Sequence, residues 1–156
     1  MSRWFSVIGV MTCVALGSCV HQAADVNGFA WSYQDNPGEG PKLAYGAPAS
    51  DNVVLMMTCE RGAETVNVSL LGGSPGGHLT LASGDDRQAF RGEAVPGPGA
   101  IGMVEAVAHV GAQPLAKFAQ TGKLSVIDRG RTAKLDASRE DRAGVERFFE
   151  ACTAEA

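Results

Sequence analysis

Ser74 stands in Gly72-Gly73-Ser74-Pro75-Gly76, the G-x-S-x-G spacing of a nucleophile elbow. In such an elbow the residue after the serine donates its backbone N–H to the oxyanion hole. Here that residue is Pro75, which has no N–H to give. The segment is therefore expected to be a structural loop, a hairpin connection between the alternating stretches 64–71 and 78–83. A second pattern, Gly97-Pro98-Gly99-Ala100-Ile101-Gly102, has the G-x-G-x-x-G spacing of a dinucleotide loop. That chemistry needs a strand before it, a helix after it and an acid about twenty residues on. No acid stands near position 122, the closest to it being Asp128. A Gly/Pro loop is expected, and no cofactor is implied. The histidines His21, His78 and His109 are scattered, without the three or four convergent ligands zinc requires. Asp85-Asp86 reads as turn chemistry. No catalytic, cofactor or metal residue is assigned on these patterns.

The N-terminus carries a different kind of signal. Arg3 supplies a positive charge, 4–16 run without a charge, and Gly17-Ser18 provide small residues before Cys19. This is the order of a secretory signal peptide. Its apolar run is shorter than the ~20 residues of a spanning helix. Leu16-Gly17-Ser18-Cys19 resembles the lipobox of bacterial lipoproteins. The resemblance implies that residues 1–18 are removed and that Cys19 receives a diacylglyceryl group, with further acylation of the new amine. Two or three acyl chains anchor a protein stably where one is marginal. Val20 follows Cys19, where an aspartate would resemble the inner-membrane retention signal of enteric bacteria. The expected location is therefore the periplasmic face of the outer membrane.

On that reading Cys13 is discarded and Cys19 lipidated, which leaves Cys59 and Cys152 for the domain. Two cysteines in an oxidising compartment pair. Periodicity agrees. Cys59 shares the parity of Val53, Leu55 and Met57, while Cys152 continues the stripe Val145, Phe148, Phe149 at helical spacing. A disulfide between them would pin the last helix to a central strand.

The elements around these residues are short. After a polar tether (19–28), FAWSY (29–33) and KLAYG (42–46) read as strands separated by a loop at 34–41. The stretch 53–59 is apolar in both parities, which predicts a central strand covered on both faces. In 64–71, Val66, Val68 and Leu70 alternate with Thr65, Asn67 and Ser69, the latter set facing solvent. Strands are also expected at 78–83, 87–95, 103–110, 123–128 and 131–136. A short helix near 114–121 starts at Pro114 and stops at Gly122. A C-terminal helix near 138–152 begins at Ser138, which has capping-box spacing to Asp141. The fold class is mainly β (α+β): an antiparallel sheet or sandwich with both helices packed on it, forming a single domain over 29–156. The layout of 114–152 is similar to the invasion-associated locus B proteins and to accessory proteins of type VI secretion. The chain looks like small proteobacterial envelope proteins; the likeness transfers no functional residue.

Composition bounds the partners. The chain has 156 residues, 45% hydrophobic, with 20 glycines and 7 prolines, which suits one turn-rich core. Loss of 1–18 removes Arg3 and no acid, so 13 Lys+Arg become 12 against 17 Asp+Glu, a formal charge of −5. Nucleic acid, which selects clustered basic side chains, is excluded as a partner. The expected function is that of a non-catalytic envelope lipoprotein. It would meet the membrane through its lipid and bind a protein, peptide or glycan at the periplasmic membrane surface. The alternative is a periplasmic hydrolase whose residues converge only in the fold.

Overall fold

The computed structural model describes residues 28–73, 77–98 and 101–154. The first seven strands are β1 (Ala30–Asn36), β2 (Gly40–Gly46), β3 (Val53–Thr58), β4 (Thr65–Leu71), β5 (His78–Ser83), β6 (Asp86–Pro96) and β7 (Gly102–His109). Then come the helix α1 (Gln113–Thr121), the strands β8 (Ser125–Asp128) and β9 (Arg131–Lys134), and the helix α2 (Arg142–Thr153). The described strands form one antiparallel sheet in the order β1-β2-β3-β4-β7-β6-β5-β8-β9. The sheet curls around the two helices: α1 lies against β5 and β6, and α2 against β1 and β2. The ends of the strand order approach one another. Trp31 of β1 donates its Nε1–H across 2.7 Å to the carbonyl of Leu135, just past β9.

The core lies inside the curl. Leu43, Leu55, Met57, Val66, Val68, Leu79 and Leu81 from the strands meet Leu115 and Phe118 of α1 and Val145 and Phe148 of α2. An aromatic chain crosses the interior: Trp31 sits 5.3 Å from Tyr45 and 5.0 Å from Phe118, and Phe118 is 6.0 Å from Phe149. The strands of this fold present one parity to the helices and the other to solvent. Consequently β3 is buried on one face only, with Val54 and Met56 half-buried on the outer one. The expected two-sided covering is found only in part, Val54 still packing against the edge of the core. Ser69 faces outward as alternation requires, yet it is buried, because its register neighbours Met56 and Glu105 close over it.

Further expectations need correction. The 34–41 stretch is not a loop: β1 and β2 run into it and pair from Ala30↔Gly46 to Asn36↔Gly40, leaving a three-residue turn at 37–39. The segment 72–77 does not connect a hairpin, since β4 pairs with β3 and β7 while β5 pairs with β6 and β8. The meander β5-β6-β7 returns to place β7 in the position expected for β5. The strands expected to begin at 123 and 131 are four-residue strands, 125–128 and 131–134.

Both helices end and begin for identifiable reasons. Pro114 opens α1, and Gly122 closes it in the left-handed region at φ 69, its N–H bonding the carbonyl of Phe118. Ser138 and Asp141 form the reciprocal capping-box bonds at 3.1 and 3.2 Å. These organise a turn at 139–141, and α2 itself starts at Arg142, four residues later than expected. Arg142 then donates to the terminal carbonyls of α1 at Gln120 and Thr121, tying one helix end to the next. Cys59 and Cys152 are joined in a disulfide with 5.7 Å between their Cα atoms, as the matching parities predict.

Candidate functional site

β6 is the longest described strand, and it serves two neighbours in succession. Its first half, Asp86–Arg91, pairs with β5; its second half, Gly92–Pro96, pairs with β7. The change occurs at Gly92. A Cβ there would stand 2.6 Å from Val104 Cγ1 and 3.1 Å from the carbonyl oxygen of Gly77, so glycine allows the strand to pass this close. Beyond Gly92↔Ala106 the two strands part, and a cleft of about 560 Å³ opens on the outer face of the sheet. Asn67, Ala89, Phe90, Arg91, Glu93, Glu105, Ala106 and Val107 line it.

The cleft has an uneven chemistry. Glu93 and Glu105 are directly opposed in the β6–β7 register, an arrangement that costs stability through like-charge repulsion. Both are exposed, and neither has an ion-pair partner among the described residues. Glu105 accepts a hydrogen bond from Ser69 Oγ at 3.2 Å. Arg91 lies two residues from Glu93 on the same face. Val107 is 63% exposed, one of two large apolar side chains so placed among the described residues. Phe90 and Ala106 border the cleft as well, but their side chains belong to the buried core on the inner face. Such a site can pair a cation, hydrogen-bond a polar chain and cover an apolar side chain.

Two other hollows are less specific. A groove of about 480 Å³ between the helices is mainly apolar, lined by Val110, Ala119 and Phe149 with Glu146 and Glu150 at its rim. A third, of about 600 Å³, lies under the loop 47–51 on the outer face of β1–β3.

The residues singled out from sequence are dispersed. Cys19, Ser74 with Pro75, and Gly99-Ala100 lie outside the described residues. His78 is exposed at the start of β5. His109 ends β7, its Nδ1 accepting the Gly111 N–H at 3.0 Å and its Nε2 standing 3.4 Å from Glu64. Neither histidine lines any of the three clefts described above. Asp85 lies in the β5–β6 turn, and Asp86 pairs with Lys117 at 2.9 Å, holding α1 to that turn. No group of three or more potential metal ligands converges among the described residues.

Sequence reasoning missed the cleft residues. A signal existed: a hairpin folded about Gly99 sets 93 against 105, so two glutamates opposite each other could have been read from the Gly/Pro loop at its centre. The parting of β6 from β7 had no such signal, because it depends on β5 competing for the same strand. No family model, curated protein or solved structure matches this chain.

Proposed function

We propose that this chain is an exported, lipid-anchored envelope protein whose domain binds a protein, peptide or glycan partner and performs no catalysis. The lipobox at Leu16-Gly17-Ser18-Cys19 supports the anchor and a location on the periplasmic face of the outer membrane. One observation carries the binding role: the outer cleft at the β6–β7 parting holds two opposed glutamates, with no ion-pair partner among the described residues, beside an exposed valine. The opposed carboxylates cost stability when left uncovered, and a partner's cation relieves that cost. Crosslinking tests this. A photoreactive residue in place of Val107, in cells producing the full chain, is expected to yield a discrete adduct. The same residue at Thr132 of β9, exposed but remote in the strand order, is expected to yield none. Equal labelling from both positions, or none from Val107, would sink the reading.

A further inference from the structure

The geometry points to strand addition: the gap between β6 and β7 receives an extended peptide segment bearing a basic side chain. This rests on the partner-binding reading and names the class of ligand.

The backbone supplies the first argument. Before Gly92, β6 is paired with β5 alone, and after Ala106, β7 is paired with β4 alone. The β5–β6 hairpin closes at Ser83↔Asp86 around a two-residue turn, so the ladder bonds to β5 fall on Asp86, Gln88 and Phe90. Arg87 and Ala89 alternate with them and turn their N–H and C=O toward the gap; both residues are exposed. A strand edge open in this way recognises another extended backbone. A glycan offers hydroxyls but no alternating amide donors and acceptors at strand spacing.

Side chains decide what that backbone carries. The cleft sets two opposed carboxylates, Glu93 and Glu105, against one cation, Arg91, and no ion pair joins them among the described residues, so a lysine or arginine complements the acidic excess. Val107, exposed on the outer face beside the gap, suits an apolar neighbour on the same peptide. The chain's own residues 20–27 contain Asp25 and no lysine or arginine, so they lack the required charge.

A capped peptide of about seven residues, near the usual strand length, tests the inference. It alternates threonine and valine around a central lysine. It is titrated into the full chain and followed by fluorescence anisotropy. Binding is expected, weakening as salt rises. Changing the central lysine to glutamate, or making Glu93→Gln with Glu105→Gln, is expected to weaken it about tenfold. N-methylation of alternate peptide amides should abolish binding, as should Ala89→Pro, which removes a gap-facing N–H that β5 does not use. Undiminished binding of the N-methylated peptide would overturn strand addition. Equal affinity for the lysine and glutamate peptides would overturn the basic side chain. If Val107 crosslinks a partner in cells while the peptide fails to bind, or while an oligosaccharide displaces that partner, this inference falls and the partner-binding reading stands.

Discussion

Opening the Cys59–Cys152 bridge is expected to lower stability by about 2–5 kcal/mol while leaving the folded structure in place. The bridge spans 93 residues of sequence. On the chain-entropy model a loop of that length restricts the unfolded ensemble by about 4.7 kcal/mol at 25 °C. Most of this belongs to the unfolded state, because the native docking of α2 has other supports. The carbonyl of Cys152 accepts the Glu64 N–H at 3.2 Å, and Val145, Phe148 and Phe149 remain in the core. The measured loss is expected below the ceiling, since a reduced unfolded chain keeps residual structure. Against a total of about 5–15 kcal/mol for an ordinary domain, such a loss is large. The assay is urea unfolding of the oxidised chain, the chain under reductant, and the Cys59→Ala/Cys152→Ala variant, followed by far-ultraviolet circular dichroism. The latter two should unfold at lower urea with a steeper dependence, because their unfolded states expose more surface. Coincident midpoints for oxidised and reduced chains would refute the reasoning.

Other expectations follow from named contacts. Trp31→Phe keeps a ring beside Phe118 but leaves the buried Leu135 carbonyl without its donor, a cost of about 1–3 kcal/mol read as a lower melting temperature; an unchanged melting temperature would remove Trp31 as the clasp between the sheet ends. Gly92→Ala should cost about 1–3 kcal/mol by overpacking against Val104, and Val104→Ala in the same chain should restore part of it. Additive losses in that double variant would count against the clash. The Tyr33 phenol is held above its ordinary range by burial first, then by its hydrogen bond to Asp35. A folded value raised in this way favours the folded state fully below the unfolded value near 10, and the gain disappears as pH climbs through the folded value. Phenolate absorbance should show Tyr33 ionising later in the native chain than in urea, and Asp35→Asn should close only part of the difference; identical native and unfolded titrations would exclude it. Cys19→Ser should abolish incorporation of labelled fatty acid and release the protein from membranes, whereas an unlabelled, soluble wild-type chain would remove the lipid anchor.

Local chemistry was legible in the residues themselves. Alternation at Val66, Val68 and Leu70 and at Leu79 and Leu81 identified buried strand faces, since side chains on a strand point by turns to opposite sides. Pro114 and Gly122 delimited α1, one by its fixed φ and missing N–H, the other by its access to positive φ. The parities of Cys59 and Cys152 pointed inward from two elements, and the disulfide follows. These are properties of a few neighbouring residues, so the amino-acid sequence by itself determines them. Which strand lies beside which is another matter. Every strand edge offers the same N–H and C=O groups, so β4 carries no mark that selects β7 over β5. That choice is made by the whole meander β5-β6-β7 folding back over the helices. The same choice divides β6 between two neighbours at Gly92 and opens the cleft that holds Glu93, Glu105 and Val107. Only the tertiary structure decides it, because backbone pairing is indifferent to side-chain identity until the curled sheet must close around α1 and α2.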